Sequence, residues 1–170
     1  MGEPGHREIL WTPWRHEYIK SGGDRGTGEC VFCAAISKGI SVDSLVLATS
    51  KYSAIILNKY PYNNGHAMVI PKSHTHDLAS LSIDEYDDLH AMLKRLYLGM
   101  QKAYNPHGMN LGMNLGKTGG AGIADHLHYH LLPRWNGDTN FMPLIAKTKV
   151  ISETLEQTYQ RLLPYLRDGK

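Results

Sequence analysis

The sequence predicts an α+β fold in which a five-stranded antiparallel sheet is accompanied by one long helix and a C-terminal helix. Short β-rich runs follow one another closely in the first half of the chain, which is typical of an antiparallel meander. One long segment then has the apolar period of a helix, and two more β-rich runs come after it. Strands interrupted by a single long helix favour α+β over the regular alternation of α/β proteins.

The first three predicted strands are separated by short turns. Ser50-Lys51 lies between two β-rich runs, and this spacing predicts a β-hairpin. Residues 60–65 are rich in Tyr, Pro, Asn and Gly, which predicts a turn, and Pro71 ends the run that follows. The three strands are predicted at residues 43–48, 52–58 and 66–70.

The long helix is predicted to begin after Ser82. Ser82 and Glu85 have the spacing of a capping box, in which each side chain binds the backbone amide of the other residue. The helix should end before Asn105-Pro106, and His90 within it is interpreted as structural. Its apolar stripe consists of Leu89, Met92, Leu93, Leu96 and Met100.

Two strands and one helix complete the predicted fold. Residues 109–115 form the fourth strand, and residues 116–125 form a glycine-rich loop. The fifth strand is predicted at residues 126–132, where apolar or aromatic residues alternate with histidines. A last amphipathic helix is expected to follow Ser152 and to run towards Pro164.

Size and composition indicate a single domain without a polymeric or membrane partner. A chain of 170 residues, 42% of them hydrophobic, can bury one core. We expect an aromatic arm and glycine-rich loop at residues 1–29, the main domain at 30–150 and a packed C-terminal helix at 151–170. The formal charge of +2 is too mild for a dedicated nucleic-acid binder. No apolar run approaches the ~20 residues of a membrane span and no signal peptide is visible, so a cytoplasmic location is expected.

Three histidines at alternate positions, His126, His128 and His130, are the strongest chemical feature of the sequence. On a regular strand the first two lie roughly 7 Å apart and the outer two roughly 13 Å apart, so one metal ion cannot bind all three. A polar sheet face or a surface metal clip would be the simpler interpretations. The pattern favours neighbouring imidazoles with different tasks.

The glycine-rich loop leads directly into this histidine strand. Four glycines within residues 116–124 allow the backbone to approach a ligand closely and to direct several amides at one anion, although a mobile surface loop has the same composition. A phosphate held beside a neutral imidazole suggests nucleophilic attack on phosphorus. The central residue, His128, is the best placed nucleophile, and His130 would orient it or bind a phosphate oxygen.

Cys30 and Cys33 form a Cys-x-x-Cys motif and are the two cysteines of the chain. In a reducing compartment such a motif is either a redox pair or half of a zinc site. The zinc interpretation requires two further ligands.

Residues 126–132, with the sequence His-Leu-His-Tyr-His-Leu-Leu, resemble the signature of the histidine triad family of nucleotide hydrolases and transferases. Three further segments resemble family elements in the family order. Residues 58–66 are similar to its Asn…Gly-His segment, residues 70–74 to its Pro-Lys-x-His turn, and residues 110–114 to its Asn-φ-Gly-x-Asn strand, where φ is an apolar residue.

The resemblance implies a function, an assembly and a set of site residues. His128 would attack the α-phosphorus of a dinucleoside polyphosphate, with diadenosine tetraphosphate the expected substrate, and form a nucleotidyl-histidine intermediate. The long helix and a strand would form a homodimer, or the dimers would pair further. No organic cofactor is expected. The implied substrate contacts are Asn58 to the ribose, and Asn114, Gly120, Ala121 and Gly122 to the phosphates.

The resemblance also implies a structural zinc ion. Family members with a Cys-x-x-Cys motif bind zinc through both cysteines, the histidine of the Pro-Lys-x-His turn and the first triad histidine. These residues are Cys30, Cys33, His74 and His126 in this chain, with His76 as an alternative to His74. A closed set of four ligands leaves no position for an activated water molecule.

Residues 133–143 are similar to the bacterial diadenosine tetraphosphate phosphorylase branch, in which inorganic phosphate accepts the nucleotidyl group. Trp135 would then border the acceptor site, and a buried structural role is the alternative. Gly122 stands where the dinucleoside triphosphate hydrolase branch has Gln, which leaves the choice between phosphate and water open. A nucleoside phosphoramidase and a non-catalytic nucleotide sensor are the alternative functions.

Overall fold

A computed structural model of the protein describes residues 28–138 and 151–167. Five antiparallel strands form one sheet in the order β1-β2-β3-β5-β4. Within these residues, three α-helices and one short 3-10 helix accompany the sheet. The elements are α1 (Val31–Ser37), β1 (Val46–Thr49), β2 (Ser53–Leu57), β3 (Ala67–Pro71), the 3-10 helix (Leu78–Ser80), α2 (Ile83–Tyr104), β4 (Gly108–Met113), β5 (Tyr129–Arg134) and α3 (Leu155–Leu166).

The predicted fold class is confirmed. β1 and β2 pair as the expected hairpin, and β2 pairs with β3 to continue the meander. The long helix begins at its predicted cap, because the Ser82 hydroxyl accepts a hydrogen bond from the Glu85 amide and the Glu85 carboxylate accepts one from the Ser82 amide. Asn105 ends the helix in a left-handed conformation.

Three details of the sequence-based prediction are wrong. The fifth strand begins at Tyr129 and not at residue 126, because Pro71 has no amide to pair with and its carbonyl accepts from the His126 imidazole at 2.8 Å. The last helix continues through Pro164 to Leu166, a residue that is only 1% exposed. The sequence analysis also missed helix α1, which buries Phe32.

The sheet is covered on one face by helices and carries the histidines on the side of α1. Strands β2 and β3 are buried along their whole length, and their side chains alternate between two apolar clusters. Ile55 and Val69 contribute to the cluster that includes α2 and α3. Ile56 and Met68 contribute to the cluster around Phe32. Helix α3 packs against α2, where Leu166 lies in contact distance of Gly99.

Parts of the predicted organisation lie outside the described residues. This applies to most of the arm and loop at 1–29, to the end of the main domain at 139–150 and to the last three residues. The proposed boundaries at residues 29 and 150 therefore stay predictions. Among the helices of the part that the structure describes, none has the length and apolar character needed to cross a membrane.

Gly65, directly before His66, is predicted to be essential for the local backbone. Its φ is +74°, and a Cβ atom there would lie 2.9 Å from Pro133 Cγ and 3.0 Å from Tyr104 Cε2. Gly65→Ala should therefore lower the free energy of unfolding by about 1–3 kcal/mol in urea denaturation. Gly108→Ala is the matched control, because its φ is ordinary and a Cβ there meets open space, so we expect a change within about 1 kcal/mol. Equal stabilities of the two variants would contradict the interpretation.

Candidate active site and metal centre

Four side chains from three separate segments meet beside the first turn of α1. Cys30 and Cys33 flank the start of this helix, His74 lies in the loop after β3, and His126 precedes β5. Their ligand atoms all lie within 4.8 Å of one another. The Nδ1 atom of His126 is 3.3 Å from Cys30 Sγ, 3.7 Å from Cys33 Sγ and 3.3 Å from His74 Nδ1.

The chemistry of this four-residue cluster fits a metal ion. The Nε2–H of His126 donates to the carbonyl of Pro71 at 2.8 Å, so the lone pair of the neutral ring is on Nδ1, which faces the thiols. Burial and the neighbouring Cys30 raise the pKa of the Cys33 thiol, and a cation would reverse this effect by stabilising thiolates. The cluster could therefore hold a metal ion. His74 belongs to the cluster, and His76 does not.

His128 is held in a single tautomer. Its ring is 4% exposed, and its Nδ1–H donates to the carbonyl of His126 at 2.8 Å. A carbonyl can only accept, so the lone pair of the neutral ring must be on Nε2. Burial lowers the pKa of His128, which keeps the imidazole neutral at physiological pH. The residue therefore presents an unprotonated nitrogen without the help of a separate base.

Hydrogen bonds that run from the Tyr62 amide through His66 fix the tautomer of His130. The backbone amide of Tyr62 donates to His66 Nδ1 at 3.1 Å, so His66 carries its proton on Nε2 when neutral. That proton is directed at His130 Nδ1, which lies 2.9 Å away. His130 must then keep its own proton on Nε2, where it can donate to a ligand. The rings of His128 and His130 are 4.8 Å apart and nearly perpendicular.

The predicted substrate residues have partners within the protein. The side-chain oxygen of Asn58 accepts from the Tyr60 amide at 2.9 Å, while its Nδ2 lies 3.4 Å from both ring nitrogens of His66. Asn114 Nδ2 donates to the carbonyl of Gly120 at 3.2 Å. The expected ribose and phosphate contacts of the two asparagines stay predictions.

The glycine-rich loop is folded on itself. The amide of Gly120 donates to the carbonyl of Lys117 at 3.0 Å, and the amide of Ala121 donates to the carbonyl of Gly116 at 3.2 Å. Gly122 is exposed in the same loop. A phosphate bound by the first two amides would have to replace these internal acceptors, so their proposed role requires a rearrangement of the loop.

Trp135 packs against Tyr104, a residue that borders the larger apolar cluster. Its ring lies 5.9 Å from that of Tyr104 in an edge-to-face arrangement, and the Tyr104 hydroxyl donates to Glu153 at 2.8 Å. This contact joins the end of β5 to α2. It agrees with the structural alternative for Trp135, and a border of the acceptor site stays a prediction.

His66 is the main site residue to which the sequence analysis assigned no role. It is 1% exposed and contacts both His130 and the ring of Tyr62, which lies 4.6 Å away. Its presence in the Gly-His segment was the available signal. Alternation within one strand could not reveal it, because β3 pairs with β5 across the sheet and brings His66 beside His130 from a distant part of the chain.

The described residues thus form an α+β fold in which His66, His126, His128 and His130 lie close to one another beside a Cys-His cluster. The HIT domain family model matches residues 41–137. The AP-4-A phosphorylase of Mycobacterium tuberculosis is 35% identical over 168 residues, a match that covers 96% of this chain and 86% of the relative. The chain therefore belongs to the HIT family.

Two further proteins are similar to this chain over a substantial part of its length. An adenosine 5'-monophosphoramidase of Schizosaccharomyces pombe is 32% identical over 107 residues, covering 63% of this chain and 75% of the relative. The crystal structure of a zinc-bound histidine triad family protein from Mycobacterium smegmatis matches with a TM-score of 0.65 and 26% identity. That match covers 83% of this chain and 95% of the crystallised chain.

The geometry predicts that His74, and not His76, supports metal binding. His74→Ala removes a donor that lies 3.3 Å from His126 Nδ1, whereas His76→Ala changes an exposed side chain of the same loop outside the cluster. In proteins purified without added metal, elemental analysis should find about one ion per chain in the wild type and in His76→Ala, and a clear loss in His74→Ala. Metal retained by His74→Ala but lost by His76→Ala would contradict this assignment.

Proposed function

We propose that the protein cleaves dinucleoside polyphosphates, with diadenosine tetraphosphate as substrate and inorganic phosphate as acceptor. The single observation that carries the catalytic part is the bond between His128 Nδ1 and the His126 carbonyl, which leaves a lone pair on Nε2 of a buried, neutral imidazole. The substrate and the acceptor are supported by the 35% identity with the mycobacterial AP-4-A phosphorylase.

The reaction follows from the tautomer of His128. Its Nε2 lone pair attacks the α-phosphorus, the P–N bond forms, and the bond to the leaving polyphosphate oxygen breaks with its electron pair remaining on that oxygen. The Nδ1 proton stays on the ring and continues to donate to the His126 carbonyl, which stabilises the positive charge of the substituted ring. A phosphate oxygen then attacks the same phosphorus and breaks the P–N bond, which yields ADP and ATP from diadenosine tetraphosphate.

His130 acts on a phosphate oxygen in this proposal, and His66 sets the tautomer of His130. The Tyr62 amide fixes the tautomer of His66, which in turn places the proton of His130 on Nε2, from which it would donate to a non-bridging oxygen of the substrate. Such a donor stabilises charge that develops in the transition state. Asn58 would bind the ribose, and Asn114 with the amides of Gly120, Ala121 and Gly122 would bind phosphate after the loop has exchanged its internal bonds.

The metal in the four-residue cluster is proposed to be zinc. Two thiolates and two imidazoles form a set that zinc prefers, and a similar HIT protein from Mycobacterium smegmatis is described as zinc-bound. A zinc ion with four protein ligands contributes stability to the fold and supplies no activated water. Reduced thiols in such a site also fit the expected cytoplasmic location.

A phosphoramidase is the second candidate function. The same nucleophile could attack a phosphoramidate with a smaller leaving group, and a phosphoramidase of Schizosaccharomyces pombe is 32% identical over 63% of this chain. Discrimination between the two reactions depends on the leaving group and the acceptor, since both require the same attack by His128.

We also propose that the protein forms a homodimer through α2 and β4. Strand β4 is an edge of the sheet, and Leu111 on it and Tyr97 on α2 are 55% and 41% exposed. Between them lies a cavity of about 330 Å³ with apolar residues in its wall. An exposed edge strand with apolar side chains is a surface that a second copy could cover.

Products distinguish the candidate functions. Incubation with diadenosine tetraphosphate and phosphate should yield ADP plus ATP by anion-exchange chromatography, whereas AMP plus ATP would indicate water as the acceptor. His128→Gly should reduce turnover by at least about 10³-fold, because the nucleophile is lost. Full turnover in this variant would contradict the mechanism, and cleavage of an adenosine phosphoramidate alone would favour the second candidate.

The dimer proposal predicts that a charge on β4 disrupts association. Leu111→Glu should convert a dimer into a monomer in light scattering coupled to size exclusion, because the carboxylate would be buried without a partner. Ile83→Glu is the matched control, since Ile83 is 79% exposed at the start of the same helix α2. A dimer that persists in Leu111→Glu and dissociates in Ile83→Glu would place the interface elsewhere.

A further inference from the structure

Phe32 lies between the two cysteines of the Cys-x-x-Cys motif and points into the protein. It is 4% exposed, while its neighbour Val31 is 37% exposed. The ring belongs to the apolar cluster on the histidine side of the sheet, together with residues of β1, β2 and β3. Burial of this apolar side chain stabilises the packing of α1 on the sheet.

The Phe32 ring contacts the histidines of both functional centres. Its centroid is 5.5 Å from that of His126, with the two planes at 88°, and 5.2 Å from that of His128, with the planes at 56°. These distances are within the range of favourable aromatic contacts. The same side chain therefore packs on a member of the Cys-His cluster and on the proposed nucleophile.

A single hydrogen bond does not fix an imidazole in space. The bond from Nδ1 of His128 to the His126 carbonyl sets the tautomer, but the ring can still rotate about that bond and carry Nε2 away from the phosphorus. Phe32 on one side and His130 at 4.8 Å restrict this rotation. These two contacts limit the directions in which the Nε2 lone pair can point.

We propose that Phe32 is a positioning residue that holds His128 in its attacking orientation and links that orientation to the Cys-His cluster. This inference rests on the proposed function. The link arises because α1 has seven residues and the two cysteines flank its first turn, so whatever fixes Cys30 and Cys33 also fixes the ring between them. The cluster thereby acts on the nucleophile through packing as well as through the His126 backbone.

The expected kinetic signature is a loss in the chemical step with little change in binding. A misplacement of about 1 Å in a reacting group can reduce a rate by about 10²-fold. Removal of Phe32 should therefore slow nucleotidyl transfer to His128 while the affinity for a bound nucleotide is retained. A purely structural residue would change stability and affinity together, without this separation.

The test compares Phe32→Ala and Phe32→Leu with Val31→Ala, a control in the same motif. Rapid-quench measurements with diadenosine tetraphosphate, without added phosphate, give the rate at which the nucleotidyl-protein forms. Calorimetry with AMP gives the affinity, and elemental analysis gives the metal content of each protein. Phe32→Leu keeps most of the buried volume, so it decides the question if Phe32→Ala does not fold.

We expect Phe32→Ala to form the adduct roughly 10- to 100-fold more slowly and Phe32→Leu to recover part of the rate. Both should retain about one metal ion per chain and an AMP affinity within about threefold of the wild type, and Val31→Ala should match the wild type throughout. An unchanged adduct rate in both Phe32 variants would overturn the proposal. The proposal would also be overturned if the adduct rate of the Phe32 variants fell only in proportion to their loss of metal.

This design separates the two proposals. If the wild-type protein forms no nucleotidyl adduct, the proposed function has failed, and Phe32 has no nucleophile to position. If the wild type and Val31→Ala form the adduct and both Phe32 variants form it as fast as the wild type, only the positioning role has failed.

Discussion

The backbone carbonyl of His126 is the point on which the candidate site depends. It accepts the Nδ1–H of His128 at 2.8 Å, while the side chain of the same residue faces the two cysteines and His74. A displacement of His126 would therefore change the Cys-His cluster and the tautomer of His128, the proposed nucleophile, together. The bond from His126 Nε2 to the carbonyl of Pro71 fixes this residue to the end of β3, so the sheet itself sets the position of both centres.

The two faces of the sheet have different tasks: one carries the larger apolar cluster, and the other carries the smaller cluster and the candidate site. Helices α2 and α3 cover one face and provide more than half of the buried apolar side chains in the larger cluster. The other face is covered by a smaller cluster that includes Phe32. On this side, near the place where β3 and β5 pair, lie His66, His126, His128 and His130. Strands β2 and β3 belong to both clusters, which explains why every residue of these two strands is buried.

Local patterns predicted the elements, and long-range pairing determined the details that the sequence did not show. The capping box of Ser82 and Glu85 and the alternation of the strands depend on neighbours in the chain, so they were visible. The start of β5 at Tyr129 depends on Pro71, and the role of His66 depends on strand pairing with β5. The resemblance to the Pro-Lys-x-His turn implied His74, with His76 as the alternative, and the fold brings His74 and not His76 into the cluster.

The closed conformation of the glycine-rich loop has a thermodynamic consequence. The amides of Gly120 and Ala121 donate to carbonyls of Lys117 and Gly116, so each bond that they would form with a phosphate replaces a neutral bond within the loop. The net gain is the difference between a charge-assisted and a neutral hydrogen bond, and not a full bond. A neutral ligand would gain almost nothing from this exchange, whereas a polyphosphate would gain at each oxygen that accepts from one of these two amides. The loop would then select for charge through the exchange of its own hydrogen bonds.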